Sequence, residues 1–251
     1  MPSAKFEYLL RLGDTVLVLS QRLSEWCGRG PVLEEDMALA NTGLDLLGHA
    51  RMWLTYAGEV EGKGRDEDAL AYLRDDAAFR NMLLVERPNG NYADTLTRQF
   101  FFDAWHRLAL AELVKSSDST VAGIAGKALK EVEYHFQRST DLIIRLGGGT
   151  DYSHRLMQAA VDEFWPYTGE LFECDAVDQE MIVLDVGFDA RSLRAPWLAT
   201  VANTLETATL VSPPADAWMH KGGRTGVHTQ ALSYLLGEMQ VLPRRYPGAQ
   251  W

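Results

Sequence analysis

The stretch LEEDMALANTGLDLLGHARMWLTYAGEV, residues 33–60, contains no proline and predicts one long helix. The glycine-containing segment 62–64 follows it and suits a helix end. Upstream, apolar residues recur at three- and four-residue steps and predict another helix over about residues 5–27. Glycine and proline between positions 28 and 31 separate the two segments. The sequence therefore predicts a hairpin of two long helices at its start.

The same helical periodicity continues to about residue 173 and weakens beyond it. Residues 182–188 are consistent with a short strand or a loop. Four or five helices longer than about 20 residues, joined by short turns, are typical of an antiparallel bundle. We expect an all-α bundle with additional C-terminal helices, in one domain over residues 1–251. The remaining helices are predicted over about residues 66–81, 92–115, 120–146, 152–173, 190–209 and 229–244.

Composition excludes several classes of function. The formal net charge of −11 disfavours a nucleic-acid partner, because phosphates repel an acidic surface. No segment approaches the roughly 20 apolar residues of a membrane span, and no secretory signal is apparent, so no membrane partner is expected. Cys27 and Cys174 form neither a disulfide framework nor a zinc motif, which fits the cytoplasm. No Gly-x-Gly-x-x-Gly follows a strand, so no nicotinamide or flavin is expected on this chain.

Acidic residues and histidines fall at about mid-height in the long helices when the helices are counted back from their turns. Several of these residues are three or four positions apart, which places their side chains on one helical face. A bundle core with carboxylates and inward histidines is how ferritin-like di-iron proteins hold metal. Such pairs are also common as solvated pairs on helix surfaces, and spacing alone favours that alternative. We call these residues the polar layer: Asp14, Asp45, His49, Asp103, His106, Glu131 and His135.

Blocks along essentially the whole chain resemble the C component (PaaC) family of bacterial phenylacetyl-CoA epoxidase. These blocks are far more specific than an isolated acid–histidine pair. They are Arg11–Asp14, Leu19–Leu23, Glu25–Gly28, Leu39–Asn41, Leu44–Gly48, Pro88–Asn91, Asp103–His106, Lys130-Glu131 with Tyr134-His135, Gly226 with His228-Thr229, and the tail Glu238–Gln240, Pro247-Gly248 and Trp251.

The resemblance implies a multicomponent, oxygen- and NADPH-dependent monooxygenase that epoxidises the aromatic ring of phenylacetyl-CoA. In that family a related A subunit holds the di-iron centre, and the ferritin-like PaaC protein pairs with it after losing the metal ligands. Here Leu46 and Val132 stand three positions before His49 and His135, where a Glu-x-x-His motif has its glutamate. The resemblance therefore implies no metal, cofactor or catalytic residue on this chain, and di-iron on the partner subunit.

The polar layer is then expected to be vestigial, with its acids held by ion pairs and hydrogen bonds. We expect the counter-charge to come from one of four arginines, because an isolated buried charge is very costly. The candidates are Arg11, Arg51, Arg98 and Arg107.

The function predicted from this resemblance is a structural subunit, inactive alone, that pairs with the catalytic A subunit in the cytoplasm. Other components of the complex are further candidate partners, and self-association of the isolated chain stays open. The alternative is an autonomous ferritin-like di-iron protein. The loop Lys221–Arg224 has the glycines and cations of a site for CoA phosphates, although a solvated loop or a contact between subunits is favoured.

Overall fold

A computed structural model describes residues 3–214 and 216–249. It is 73% helical, and no strand occurs in the described part of the chain. The predicted all-α class is confirmed, and the long helices are consistent with a ferritin-like helical bundle. Trp251, the end of the family-like tail, lies outside the described residues. The helices are α1 Ala4–Ser24, α2 Leu33–Glu61, α3 Glu67–Tyr72, α4 Leu83–Glu86, α5 Tyr92–Leu113, α6 Ser119–Gly147, α7 Asp151–Phe164, α8 Ala176–Val183, α9 Arg194–Thr207 and α10 Gln230–Arg245.

The chain divides into two compact units. The first unit combines Met1–Pro88 with Gly222–Trp251, and the second is Asn89–Lys221. The first unit is therefore discontinuous in sequence, whereas the second is one continuous segment. The prediction of a single domain stays a prediction. No helix among residues 3–214 and 216–249 is long and apolar enough to cross a membrane.

The first unit is built on the antiparallel pair α1 and α2. Lys5 Nζ, at the start of α1, donates to the Tyr56 hydroxyl near the end of α2, over 2.7 Å. Gly13 lets the two helices approach closely, because a Cβ atom there would lie 2.7 Å from Leu54 Cδ2. Helix α2 is capped by Gly62, whose left-handed φ of 67° suits glycine. This hairpin is the one that the sequence predicts.

The last helix of the chain completes the first unit. The Gln240 side chain of α10 donates to the carbonyl oxygens of Ala71 and Arg74, over 3.0 Å each. The Arg244 guanidinium donates to the Arg74 carbonyl over 2.9 Å and to the Tyr72 carbonyl over 3.0 Å. These bonds fix α10 beside α3, although more than half of the chain lies between the two helices in sequence.

The second unit is built on the antiparallel pair α5 and α6. Phe100 stacks on Phe136 with ring centroids 6.3 Å apart, and further along α5 Arg107 lies 3.9 Å from the carboxylate of Glu133, which is earlier in α6. Helix α5 begins at a capping box in which the Asn91 side chain accepts from the first-turn amides. The Asp118 side chain likewise accepts from the first-turn amides of α6.

Helices α7 and α9 join this pair through an aromatic cluster. Trp197 is buried and donates from Nε1 to the Phe101 carbonyl over 3.0 Å. Its ring lies 5.6 Å from that of Trp165 and 5.8 Å from that of Phe101, measured between centroids. The cluster packs α5 against α9 and the end of α7, and it supplies much of the apolar core of the second unit.

Two predicted helices are shorter than their apolar patterns suggest. The helix predicted over residues 66–81 ends at Tyr72, since the Arg74 guanidinium takes the Leu70 carbonyl as its own acceptor. The helix predicted over residues 152–173 ends at Phe164, and a 3-10 turn containing Pro166 follows. Proline has no N–H to continue the helical ladder.

Two short helices of the described residues were missed by the sequence patterns: α4, which is a single turn, and α8. Residues 182–188, predicted as a strand or a loop, overlap the end of α8. The signal that could have located α8 is the capping box of Asp175 and Asp178, in which each side chain accepts from the other residue's amide. The helix predicted over residues 190–209 is confirmed, although its first turn is 3-10.

Candidate functional site

Asp14 of the polar layer is fully buried in the first unit and is held by an ion pair. Both of its carboxylate oxygens accept from the Arg74 guanidinium, and the Arg80 amide donates to Oδ2 over 2.9 Å. A bidentate guanidinium–carboxylate pair is among the stronger polar contacts in proteins. None of the four arginines predicted to supply the counter-charge is its partner, so that prediction is wrong for Asp14. Arg74 lies in the turn after α3, outside the long helices from which the candidates were drawn.

Asp103 is the fully buried acid of the polar layer in the second unit. Its carboxylate accepts from Gln99 Nε2 over 2.7 Å and from Ser139 Oγ over 2.9 Å. Burial raises the pKa of Asp103 from 3.8 to about 7, against the opposing effects of these two hydrogen bonds and the positive charge of Arg138. Asp103 therefore binds and releases its proton near neutral pH, and its partner on α6, Ser139, lies one turn beyond His135.

The three histidines of the polar layer are all buried, on three different helices. His49 lies on α2, His106 on α5 and His135 on α6. The His106 ring lies 4.8 Å from the ring of Phe102, centroid to centroid, so its environment is aromatic as well as polar. The burial of these side chains agrees with inward-facing helical positions and not with solvated surface pairs.

The remaining acids of the layer are only half-buried. Asp45 and Glu131 each sit one helical turn from a histidine, and both have intermediate exposure. Leu46 and Val132, at the positions where a Glu-x-x-His motif would have glutamate, are fully buried at 0% exposure. On α2 and α6, the buried face one turn before the histidine is therefore apolar.

The polar layer is divided between the two units. Asp14, Asp45 and His49 belong to the first unit, and the other four residues belong to the second. In residues 3–214 and 216–249, no group of three or more histidine, cysteine, aspartate or glutamate side chains is arranged to hold a metal ion. The assignment of the layer as vestigial stays a prediction.

A second buried polar cluster, which the sequence patterns did not locate, lies in the first unit. Glu86 is fully buried at the end of α4, where its carboxylate accepts from Asn81 Nδ2 over 2.9 Å and from the Thr229 amide over 2.6 Å. His228 Nδ1 lies 2.8 Å from the same carboxylate, and its Nε2 lies 3.0 Å from the Phe79 carbonyl oxygen. Both ring nitrogens of His228 are thus engaged, so its orientation is fixed.

The charge of Glu86 controls the protonation of His228. Burial of the imidazole acts to lower the pKa of His228. The hydrogen bond to Glu86 and the charge of Glu86 act to raise it and together outweigh burial, so the pKa lies above its ordinary value. The doubly hydrogen-bonded ring suits the protonated form, in which both ring nitrogens donate. With the ring protonated, the cluster is a buried ion pair.

Arg22 extends this cluster to α1 and α10. Its guanidinium donates to the Glu86 carbonyl oxygen over 2.8 Å and to the Ala231 carbonyl oxygen over 2.9 Å. The chain from residue 228 onward is therefore anchored to the first unit by charged and backbone groups together. In the sequence, His228-Thr229 is recognisable only as part of the family resemblance, and no local spacing relates these residues to Glu86.

The loop Lys221–Arg224 does not present two free cations. Lys221 is 70% exposed and its Nζ lies 2.8 Å from the Glu173 carboxylate. Arg224 is buried, with 8% of its surface exposed. Binding of CoA phosphates by this loop stays a hypothesis that the arrangement does not favour.

The all-α chain with these helices belongs to the phenylacetic acid catabolic protein family, whose sequence model matches residues 2–251. It is 51% identical over 244 residues to the C component of the 1,2-phenylacetyl-CoA epoxidase of Escherichia coli (strain K12). That match covers 97% of this chain and 98% of the relative. The predicted family resemblance is confirmed. The relative is, by its name, one subunit of a multi-subunit epoxidase.

Proposed function

We propose that this chain is the non-catalytic structural subunit of a multicomponent phenylacetyl-CoA epoxidase, acting in aerobic phenylacetate degradation. It pairs with a catalytic A subunit that carries the di-iron centre, while a reductase component delivers electrons from NADPH. The observation that carries the proposal is the burial of Leu46 and Val132 at the two glutamate positions of the Glu-x-x-His motifs. Hydrocarbon side chains have no atoms that ligate iron.

The other acids of the polar layer support the same conclusion. Asp14 is held by Arg74, and Asp103 is held by Gln99 and Ser139, so both buried carboxylates have partners within their own unit. Di-iron sites in this class of bundle require carboxylates from four helices that converge on the metals. The donor set of this chain does not fit that requirement, and its residues therefore take no part in a step at iron.

A structural role accounts for the interior that this chain maintains. The buried ion pair of Asp14 with Arg74 and the Glu86–His228 cluster join segments that are far apart in sequence. Removing one partner of such a buried pair is strongly destabilising, because it leaves an uncompensated charge. The proposed contribution of the chain to the complex is a rigid surface on which the catalytic partner folds and docks. A cytoplasmic location stays a prediction from the cysteine content.

Iron content and oxygenase activity test the proposal directly. The chain is purified alone, purified with the A subunit and assayed after anaerobic Fe(II) loading, with phenylacetyl-CoA, oxygen and reductant supplied. We expect background iron and no turnover from the chain alone, and full activity of the A subunit only when the chain is present. An A subunit with unchanged activity in the absence of the chain would refute the structural role.

Histidine variants separate the proposal from the alternative of an autonomous di-iron protein. If the chain held two irons, His49→Ala and His135→Ala would each lower the iron content and oxygen consumption of the isolated chain. Under the proposal, both variants and the unaltered chain have the same background iron. Trp53→Phe, a change on the buried face of α2 without loss of a metal-ligating group, is the control for general damage to the helix.

A further inference from the structure

The segment Gly222–Thr229 leads into α10, and its path depends on two glycines. Gly222 has a φ of 130° and Gly226 a φ of 84°, one on each side of the 3-10 turn Gly223–Thr225. Residues with a side chain rarely adopt such values, whereas glycine also adopts ordinary negative φ values readily. The two glycines are therefore points at which the segment can bend. We call Gly222–Thr229 the entry segment.

Hydrogen bonds from the last two residues of the entry segment hold it against α4. His228 Nδ1 lies 2.8 Å from Glu86 Oε2, and His228 Nε2 lies 3.0 Å from the Phe79 carbonyl oxygen. The Thr229 amide donates to the other oxygen of Glu86 over 2.6 Å. The His228 side chain is only 4% exposed and that of Glu86 is 0% exposed. The contacts therefore converge on one buried carboxylate and one backbone carbonyl oxygen.

This arrangement of the His228 ring requires a proton. A carbonyl oxygen and an ionised carboxylate only accept, so an imidazolium satisfies both neighbours by donating from both ring nitrogens. The pair can also carry the proton on Glu86, which then donates to Nδ1 while the neutral ring donates from Nε2. Without that proton, the neutral ring has one N–H, and its second nitrogen directs a lone pair at an acceptor oxygen. The buried carboxylate then also lacks a cation, which is costly.

The charged groups of the neighbouring elements leave this proton to the Glu86–His228 pair. They come from α1, from the segment between α3 and α4, and from α4: Asp14, Arg22, Arg74, Asp76, Arg80 and Glu86. Arg74 pairs with Asp14 and Arg80 with Glu7, whereas Arg22 donates to the backbone carbonyl oxygen of Glu86. The negative charges of Asp14 and Glu86 favour the protonated ring.

We propose that the Glu86–His228 pair is a proton-controlled latch, which holds the entry segment on α4 while it binds the proton and releases the segment when the proton is lost. The pKa of His228 is raised above 6.5 by Glu86, so the closed segment binds the proton more tightly than the open one. A group of this kind favours the closed state at low pH, and opening increases as pH rises. The latch is a property of this chain alone and holds whatever its partner subunit does.

The proton has a direct path to water. A cavity of about 370 Å³ borders His228 and is lined also by Asp76, Gly226, Gln230 and Ser233. Polar cavities of this size hold water, so a solvent base can take the proton without unfolding of the first unit.

Opening is expected to stay local, because the rest of α10 has contacts that do not involve the pair. Gln240 donates to the carbonyl oxygens of Ala71 and Arg74, and Arg22 donates to the Ala231 carbonyl oxygen. These bonds involve no group that titrates between pH 7 and pH 9. Loss of the proton therefore releases the entry segment and leaves α10 in place.

Hydrogen–deuterium exchange of the full chain, followed by mass spectrometry between pH 7 and pH 9, tests the latch. Rates are corrected for the intrinsic dependence of amide exchange on pH, so that they report the opening constant. We expect opening of residues 225–229 to rise with pH by up to about tenfold per unit and to level off above the raised pKa of His228. Amides of α1 are the reference, because a rise there reports loss of stability throughout the first unit.

Two variants locate the proton. In Glu86→Gln, the new amide can donate to Nδ1 of the neutral ring, while Asn81 turns its own amide so that Oδ1, which lacks a partner among the described residues, accepts the second N–H. Opening of the entry segment should then vary less than twofold from pH 7 to pH 9. His228→Phe removes both ring nitrogens and should leave the segment open throughout. His154→Gln, which removes a histidine from the second unit, is the matched control and should keep the full rise.

Each result supports the latch or overturns it. Opening of the entry segment that is the same at pH 7 and pH 9 overturns it. A rise that α1 shares equally also overturns it, because the proton then stabilises the whole unit and does not hold one segment. A rise that persists in Glu86→Gln places the titrating proton elsewhere and has the same consequence. If circular dichroism shows that His228→Phe is unfolded, Glu86→Gln and the unaltered chain still decide.

Discussion

Replacing Asp103 by asparagine is expected to stabilise the protein at alkaline pH. The carboxyl group is completely buried, and its pKa of about 7 compares with 3.8 for an ordinary aspartate. The folded state therefore holds a proton that the unfolded chain releases between these two values, so the free energy of unfolding falls as pH rises through this range. Below about pH 4 both states are protonated and the effect is absent.

The magnitude follows from the difference between the two pKa values. Raising the pKa of Asp103 from 3.8 to about 7 corresponds to a destabilisation of roughly 4 kcal/mol above pH 7. Asparagine fits the same space without charge. Its oxygen can accept from Gln99, and its NH₂ group can donate to Ser139 Oγ, which lies 3.2 Å from the Phe136 carbonyl oxygen as its own acceptor. The neutral hydrogen bonds are weaker than those to a carboxylate, so the expected gain is about 2–4 kcal/mol at pH 9.

Urea denaturation between pH 5 and pH 9 measures this effect. The unaltered chain should lose stability across that range, and Asp103→Asn should lose less, with the two stabilities closest at pH 5. Asp141→Asn, at an exposed position on the neighbouring helix α6, is the control and should shift stability by no more than about 0.5 kcal/mol at any pH. If the free energy of unfolding changed equally with pH in the unaltered chain and in Asp103→Asn, the claim that this carboxyl group is desolvated would be refuted.

Three further changes test other parts of the interior, and Gly48→Ala is the exposed control for one of them. Arg74→Ala leaves a buried carboxylate without its counter-charge and should lower the free energy of unfolding by about 3–5 kcal/mol in urea titrations; a loss below about 1 kcal/mol would contradict the buried ion pair. Glu86→Gln removes the charge that keeps the pKa of His228 raised, so the imidazole resonances of His228 should titrate at lower pH in NMR spectra. The protonated ring stabilises the folded state at low pH, and this contribution is lost as pH rises through the raised pKa. In Glu86→Gln this contribution should be smaller. Gly13→Ala should destabilise by about 1–2 kcal/mol, since overpacking outweighs the gain in helix propensity. Gly48→Ala, at an open position on α2, should instead stabilise by about 0.5–1 kcal/mol, and similar melting-temperature shifts for the two alanine variants would contradict the close approach of α1 and α2.

The long helices could be predicted from the sequence because their apolar periods are uninterrupted and their ends are marked by glycine, serine and aspartate. The bounds of α2 and α6 differ by about one residue from those expected. Prediction failed where a side chain competes with the backbone or where proline intervenes. The Arg74 guanidinium takes a helix carbonyl oxygen, and no local pattern indicates that choice.

The buried polar groups could be predicted only in part, because spacing along one helix gives a residue's face but not its partners on other elements. Helical spacing places each of His49, His106 and His135 on one face with an acid, because a residue's face depends only on its position along one helix. Spacing does not tell whether that face is buried or solvated, and the structure shows that all three histidines are buried. Partners that come from other elements are not encoded in spacing. Arg74 for Asp14 and His228 for Glu86 are separated from those acids by loops whose paths depend on the whole fold.

The return of α10 to the first unit has a consequence for the order in which the protein is made. Synthesis proceeds from the N-terminus, at about 5–20 residues per second in cells. The helices α1 to α4 emerge first, yet Glu86 acquires His228 only after the whole second unit has been synthesised. The second unit is continuous in sequence, so all of its segments are synthesised before the last segment of the first unit. Released chains truncated before residue 228 should therefore carry a folded, protease-resistant second unit and an unfinished first one, whose Glu86 carboxylate lacks its His228 partner.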